Sequence, residues 1–515
     1  MKFMNSRWLA AISVSVVLLS VGCVVASAEA ARYGGTLHVR LHASNVSLDP
    51  REWTPGSLSG ATSQKLASLV YDRVVTLDDY GKFRPDLAME WSHDALCRSW
   101  QFRLRPGVKF SDDSLLTSAD VATALKATLP GTIEISASEN SVVLRSARPI
   151  PDLLEQLASG NHFIFRVQMD STLLGTGPFS VAESVPATRS EINPSAIKPA
   201  HIRFTANEGT WSGRPFLDSV EVTLGEPSLR QMMELQIGKA EVIEIAPDLV
   251  RKARQEGMRV WSSSPVTMVA LRFDPAIAAP AEDPLREAVS LSLDRTTMAN
   301  VLLQREAQPA AALLPQWLSG YAFLFEASFR LDRAKELRGG LPGSEVGVTQ
   351  PLRLFLDTPG DLFKLMAERV AVNARQANLT VQLAPAMNPN SGPVSSGGMH
   401  LFAWHFESLS ARAEMEGFAK QWQLLEGGDL PGTAVDLEQL YQLERRLIDE
   451  RRVLPLVVLP EYVGLRSNVK NWNASGWGDW RLADVWLESE EVATPEATES
   501  PRRMNATTRH PGARP

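Results

Sequence analysis

The chain has few residues of the types and spacings that catalysis or metal binding requires. Its eight histidines are scattered over 515 residues, and no zinc-protease, phosphate-loop, paired C-x-x-C or nucleophile-elbow motif occurs. His38 and His42 lie four residues apart on a predicted strand, too far apart to share a metal ion without a third ligand. We therefore predict no catalytic residue, cofactor or metal site. A catalytic pair of carboxylates stays open, because the separation that it needs is spatial.

Charge and cysteine content exclude further classes of function. The chain has 52 basic and 59 acidic residues and a formal net charge of -7, which argues against a nucleic-acid partner. Cys23 lies in the N-terminal apolar segment, so Cys97 is the one thiol left for the folded body, and an internal disulfide or thiolate zinc site is excluded. The apolar content of 44% supports a buried core, and the length predicts two to four domains.

The N-terminus has the order of an export signal. Lys2 and Arg7 precede an uncharged run from Leu9 to Val21, and small residues follow up to Ala28. We predict a signal peptide over residues 1–28 and a periplasmic mature protein. Lipid attachment at Cys23 is an alternative, and an uncleaved membrane anchor is a third.

Local patterns predict several elements of the folded body. Alternation over residues 36–41 indicates a strand, and residues 132–145 indicate a hairpin. Ser118 is expected to cap a short helix, and Asp283-Pro284 is expected to begin another. Gly175-Thr176-Gly177 predicts a tight turn before a new strand.

Short blocks along the chain follow an order that points to one family. Each block alone is weak evidence, but together they cover most of the body. The blocks are Tyr33-Gly34-Gly35-Thr36-Leu37, the stretches 85–91 and 102–110, Gly175-Thr176-Gly177-Pro178-Phe179, Gly238-Lys239-Ala240-Glu241-Val242, Pro284-Leu285-Arg286-Glu287-Ala288 and Arg333-Ala334-Lys335-Glu336-Leu337.

In these blocks the chain resembles the extracellular solute-binding proteins of family 5, the receptors for peptides, oligopeptides and nickel that feed bacterial ABC importers. The resemblance implies an α/β, two-lobed periplasmic-binding-protein fold with a discontinuous lobe I, an extra subdomain, and a hinge. Ligand is expected between the lobes. The predicted domains are 1–28 signal peptide, 29–45 with 175–268 and 474–488 lobe I, 46–174 a trimmed lobe I subdomain, 269–473 lobe II, and 489–515 a disordered tail.

The same resemblance suggests ligand-binding residues. Peptide receptors of this family tend to place an Asp three residues after a Trp to hold the ligand's ammonium, and Glu407 stands at that offset from Trp404. Its carboxylate could do the same on a longer arm, or the site could bind an uncharged solute. Trp404 is a candidate cleft wall or a core residue, and His405 a candidate ligand contact. Asn45 and Ser47 lie on the loop that the family presents to ligand.

The predicted function is an exported, monomeric receptor that captures a peptide or other small oligomeric solute and delivers it to a membrane ABC permease. Because Trp side chains also stack on sugar rings, a sugar is a second ligand class, and nickel is the weakest option. An exported hydrolase with cleft carboxylates, and an interaction module that has lost transport, are the alternative functions.

Overall fold

The computed structural model describes residues 32–78, 80–189, 197–278, 280–340, 351–384, 398–424 and 436–488. The predicted signal peptide, Cys23 and the predicted tail 489–515 lie outside the described residues.

Strands and helices alternate through most of the described chain. The strands are β1 Thr36–Arg40, β2 Val75–Leu77, β3 Phe83–Pro85, β4 Ala88–His93, β5 Ser99–Leu104, β6 Ile133–Ser138, β7 Ser141–Ser146, β8 Arg166–Val167, β9 Leu173–Leu174, β10 Phe179–Val185, β11 Thr188–Arg189, β12 Ile197–Lys198, β13 His201–Ala206, β14 Ser219–Thr223, β15 Val242–Glu244, β16 Arg259–Phe273, β17 Gln308–Pro309, β18 Leu352–Leu356, β19 Val381–Leu383, β20 Gly398–His405, β21 Val453–Leu465, β22 Val469–Lys470 and β23 Trp486–Leu487. The α-helices are α1 Leu58–Ala67, α2 Ser118–Thr128, α3 Leu153–Leu157, α4 Ser228–Gln236, α5 Val250–Gln255, α6 Pro275–Ala278, α7 Asp283–Ser292, α8 Arg295–Thr297, α9 Gln316–Ser319, α10 Leu331–Gly339, α11 Asp361–Gln376, α12 Ala411–Gln421 and α13 Leu437–Asp449.

Two long antiparallel strands join two lobes. In the first lobe the sheet has the order β10-β13-β14-β1-β15, and in the second lobe β20-β18-β19. β16 and β21 pair with each other and belong to both sheets: β21 pairs with β15 at its far end, and β16 pairs with β20 at its far end. Within the described residues the chain therefore crosses between the lobes once in β16 and returns once in β21.

The pairing of β16 with β21 is irregular where the lobes meet. Pro265 stands opposite Pro460, and the register shifts on both sides of Pro265, between Ser262 and Thr267. Because proline has no backbone N–H, two facing prolines interrupt the ladder of hydrogen bonds at this point. The strands cross between the lobes near residues 265 and 460. The lobe boundaries predicted from the sequence follow residues 268 and 473.

Each lobe has its own hydrophobic core. Leu37, Val39 and other first-lobe residues form one cluster with the apolar side chains of the subdomain sheet β4-β5-β7-β6. In the second lobe, alternate residues of β16 contribute to different cores, because successive side chains point to opposite faces of a strand. Val269 and Leu271 enter the core on one face, and Met268 enters the core on the other.

Most of the local predictions agree with the structure. The hairpin expected over residues 132–145 is formed by β6 and β7. The helix expected at Asp283-Pro284 does form, but Asp283 is its first residue and not its cap, because Glu282 holds the cap position and makes no capping bond with its side chain. The predicted cap of α2 was wrong by one residue. Thr117 caps this helix in a capping box with Asp120, because the Asp120 carboxylate returns a bond to the Thr117 backbone, and Ser118 is the first helical residue.

The Gly175-Thr176-Gly177 turn is held against the backbone that follows α1. The Gly177 amide donates to the Val70 carbonyl at 2.9 Å. A Cβ at Gly175 would lie 1.9 Å from the Val70 oxygen, and a Cβ at Gly177 would lie 2.7 Å from the Val70 carbonyl carbon. Both glycines are therefore required by close approach of two backbones.

We expect Gly175→Ala to lower the free energy of unfolding by about 3 kcal/mol, because backbone on both sides must shift to admit the methyl group. Gly131→Ala is the matched control, since nothing lies within 4 Å of a Cβ at Gly131. Chemical denaturation of the two variants measures the difference. Equal stabilities would show that the turn can relax without cost.

Candidate functional site

A small cavity lies between the lobes, beside the strand crossing. Its free space holds about one water molecule. The first lobe contributes one face of α1 and the turn before β23, and the second lobe contributes α9 and the segment that follows β20. The residues that line it are Ala61, Gln64, Lys65, Trp317, His405, Phe406, Glu407, Ser408, Leu409, Trp477, Gly478 and Asp479.

Backbone of the first-lobe subdomain clamps the segment that carries His405 and Glu407. The His405 amide donates to the Gly56 carbonyl at 2.8 Å, and the Gly56 amide donates to Glu407 Oε1 at 3.2 Å. On the other side, the Gly160 amide donates to the Glu407 carbonyl at 2.9 Å. These bonds cross from one lobe to the other, so the described conformation is a closed one.

Trp404 lies in the second-lobe core and is 2% exposed. Its Nε1 donates to Glu414 Oε2 at 3.0 Å, and its ring meets Phe418 edge-on at 5.1 Å between centroids. Gly56 of the first lobe lies over the ring: a Cβ there would be 2.2 Å from Trp404 Cε3. The structure thus places Trp404 at the contact between the lobes but outside the group that lines the cavity.

Asn45 and Ser47 lie on the loop after β1 and do not line the cavity. Asn45 is exposed. The Ser47 hydroxyl donates to Glu52 Oε2 at 2.6 Å, and its amide donates to the hydroxyl of Ser63 in α1 at 3.1 Å. Of the predicted ligand-binding residues, the structure brings together His405 and Glu407 at the cavity wall.

Two buried carboxyl groups lie next to each other here, with Glu407 at the cavity wall and Glu414 behind it. Burial raises the pKa of Glu407 well above its ordinary value, and the neighbouring Glu414 raises it further. Burial also raises the pKa of Glu414 to about 7, although Glu414 accepts bonds from the Glu407 amide at 2.7 Å and from Trp404 Nε1. The buried Glu407 carboxyl group is therefore harder to ionise than an exposed glutamate.

Lys65 brings a buried positive charge to the cavity, which the sequence did not indicate. Its Nζ donates to Glu461 Oε1 at 2.5 Å, and its side chain is 6% exposed. Burial disfavours the charge, but the Glu461 and Glu244 carboxylates outweigh burial and raise the pKa of Lys65. His405 behaves in the opposite way, since burial lowers its pKa to about 4 and leaves it neutral.

His38 of β1 and His42, which follows the strand, do not form a shared site. His38 Nδ1 lies 2.9 Å from Glu241 Oε2, whereas His42 Nδ1 lies 2.7 Å from Gln231 Nε2. Among the described residues, no three His, Cys, Asp or Glu side chains are grouped so that they could hold a metal ion. In the same part of the chain, no helix has the length and apolar character to cross a membrane.

Two lobes of α/β structure, joined by a pair of long strands with a cavity between them, define a two-lobed solute-binding protein. A sequence model described as "Bacterial extracellular solute-binding proteins, family 5 Middle" matches residues 82–420. The chain belongs to this family.

Relatives agree with this assignment. The chain is 24% identical over 387 residues to the nickel-binding periplasmic protein of Escherichia coli, covering 65% of this chain and 68% of that protein. It is 24% identical over 321 residues to a probable di/tripeptide-binding protein 5 of Pseudomonas aeruginosa, covering 56% and 60%. The fold is similar to that of the periplasmic binding protein DppA of Helicobacter pylori, with a TM-score of 0.69 at 17% identity over 89% of this chain and 99% of that one.

The carboxyl group of Glu414 is expected to make stability depend on pH. Its pKa is raised from 4.5 to about 7 on folding, so its contribution to the free energy of unfolding is fully present below about pH 4.5 and is lost as the pH rises through 7. We expect the stability difference between the wild type and Glu414→Gln to fall by about 3 kcal/mol between acid and mildly alkaline pH. Denaturant unfolding of both proteins across this range measures it, and a constant difference would contradict the shift.

Proposed function

We propose that this protein is the exported receptor of an ABC importer and captures a peptide or similar small oligomeric solute between its two lobes. The observation that carries the proposal is the cavity at the strand crossing, lined from both lobes. A solute that contacts both lobes only in the closed form shifts the population toward that form. A membrane ABC permease would then take the solute from the closed receptor.

Family membership and the export signal support a periplasmic location. The relatives are named as a nickel-binding periplasmic protein, a probable di/tripeptide-binding protein and a peptide transport periplasmic protein. Cleavage after Ala28 gives a periplasmic protein without an anchor, and lipid attachment at Cys23 is the alternative route to the same compartment. We propose that the receptor works as a monomer, makes and breaks no covalent bond, and needs no cofactor.

Glu407 is the proposed anchor for a positively charged group on the solute. It lies at the cavity, and its buried carboxyl group has two sources of stabilisation available: a proton, or a cation that enters with the solute. His405 beside it offers a neutral imidazole as a contact. Trp404 is proposed to hold the segment of His405 and Glu407 in place from the second-lobe core. Asn45 and Ser47 are proposed to contact solutes that extend beyond the cavity.

A ligand screen tests the function. We expect at least one peptide, sugar or metal complex to raise the melting temperature of the mature protein, since a ligand that binds only the native state stabilises it by RT ln(1 + [L]/Kd). The ligand should be recovered intact, and X-ray scattering should show a more compact molecule with ligand than without. Hydrolysis of the ligand would favour the enzyme, and the absence of any shift would favour an interaction module.

Replacing Glu407 tests its role in that function. We expect Glu407→Gln to weaken the binding of solutes that carry a free ammonium by about 2 kcal/mol, or roughly thirtyfold in Kd, because the bound ammonium loses its charged partner. The matched control is Glu326→Gln, an exposed carboxylate of the same lobe. Calorimetric titration of the wild type and both variants gives the comparison. If Glu407→Gln binds these solutes as tightly as the wild type does, Glu407 does not anchor their ammonium group.

A further inference from the structure

The outer face of α4 in the first lobe carries a row of exposed apolar side chains. Leu229, Met233 and Ile237 occur at every fourth position, so they lie on one side of the helix over successive turns. Their side chains are 60%, 51% and 57% exposed. Single exposed apolar residues are common on protein surfaces, but a continuous row on one helix face is typical of a surface that contacts an apolar partner.

The inner face of α4 is already packed. Met232 and Leu235 are buried in a small core with Ile243 of β15 and with Val250 and Ala253 of α5. Because α4 and α5 share this core, both helices lie on the same side of the first-lobe sheet. Their outward faces therefore form one continuous surface, which we call the α4 surface.

Positive charge surrounds the apolar row. The exposed charged side chains between residues 227 and 260 are Arg230, Lys239, Arg251, Lys252, Arg254, Arg259 and Glu256. Basic residues thus dominate here, although the whole chain has a net charge of -7. Arg230, Lys252 and Arg254 have acidic partners within 4 Å, whereas Lys239 and Arg251 have none among the described residues. The α4 surface is therefore complementary to a partner that is both apolar and anionic.

The direction of α4 relates this surface to the start of the chain. At the beginning of the helix, Ser228 Oγ lies 3.2 Å from Nε2 of His42, which follows β1. Beyond its last turn, the Lys239 carbonyl accepts from Arg40 Nη2, inside β1, at 3.0 Å. The helix therefore runs back along β1, and the end of the apolar row lies toward the edge of the sheet at which the chain enters the first lobe.

The route of the chain to this edge is short. β1 begins at Thr36, and the first described residue is Arg32. If lipid is attached at Cys23, the nine positions from Cys23 to Arg32 span at most about 30 Å. A lipid anchor would therefore hold this edge of the first lobe close to a membrane.

We propose that the α4 surface binds the surface of an anionic lipid membrane, with Leu229, Met233 and Ile237 among the headgroups and the basic side chains at the lipid phosphates. Burial of an apolar helix face and attraction to anionic lipid add to each other in such contacts. Three side chains give a weak and reversible contact, which suits a receptor that must also reach a permease. The inference goes beyond the proposed function, because none of these residues lines the cavity.

Vesicle sedimentation tests this contact with the mature, full-length protein purified without a lipid. The vesicles contain phosphatidylcholine alone or a mixture of phosphatidylcholine and phosphatidylglycerol, at low and at high salt. Glutamine replaces the residues of interest, since it is compatible with a helix at exposed positions. The apolar variant combines Leu229→Gln, Met233→Gln and Ile237→Gln. The basic variant combines Lys239→Gln, Arg251→Gln and Lys252→Gln.

The matched controls carry the same kinds of change on exposed side chains of the second lobe. The apolar control combines Phe323→Gln and Leu324→Gln, whose side chains are 71% and 52% exposed. The basic control combines Lys335→Gln, Lys364→Gln and Arg375→Gln. Both controls change hydrophobicity or charge without touching the α4 surface.

We expect the wild type to bind anionic vesicles about tenfold more tightly than neutral ones. The apolar and basic variants should each weaken this binding about tenfold, high salt should weaken it in the wild type, and both controls should bind as the wild type does. Melting temperatures establish that the variants fold, and if one of the two does not fold, the other decides.

Three results would overturn the membrane contact. These are no sedimentation with either kind of vesicle, wild-type binding by the apolar and basic variants, and binding only to vesicles that contain the permease. Dimers in analytical ultracentrifugation that the apolar variant abolishes would assign the row to a second copy of the chain and overturn the membrane contact as well. The proposed function is measured separately, because a solute should raise the melting temperature of the wild type and of both variants equally.

Discussion

The meeting of Pro265 and Pro460 is the constraint on which the rest of the structure depends. β16 and β21 run through both sheets, yet at this point neither residue can donate a backbone hydrogen bond to the other strand. Each lobe keeps a separate core on its side of the interruption. The lobes can therefore change their relative position with little disturbance to either core, and the cavity lies beside the point where such a change would act.

Electrostatics in the cavity follow from its burial. Removing an unpaired charge from water costs free energy, so a buried site favours neutral or paired side chains. Burial raises the pKa of Glu407 and lowers the pKa of His405 to about 4, and Lys65 is paired with Glu461 at 2.5 Å. Asp479 also contributes, since its negative charge favours the charged forms of Lys65 and His405.

The sequence predicted the family, the two-lobed fold and most local elements, because these follow from short-range patterns. The hairpin of β6 and β7 and the start of α7 are examples. The wrong cap of α2 shows the limit of such patterns, since Thr117 and Ser118 have nearly the same capping preference and the Asp120 side chain decides between them. Glu407 and His405 could be selected because they lie within one family motif.

Other cavity residues could not be found in this way. Gln64 and Asp479 are separated by 415 positions, and their contact depends on the packing of α1 against the turn before β23. Lys65 lies in a helix whose residues from Gly60 to Ala67 are all buried. Because the helix has no exposed polar face, its sequence lacks the amphipathic pattern that would single out a buried polar residue. The position of the crossing likewise depends on pairing between β16 and β21, which no local pattern specifies.

The contact between Gly56 and Trp404 restricts which residue can stand where the two lobes meet. The Gly56 backbone rests on the Trp404 ring, with no room for a side chain and with φ at +72°. Any larger residue would collide with the Trp404 ring and would also adopt a strained backbone conformation. A single methyl group at this position would therefore oppose the approach of the two lobes.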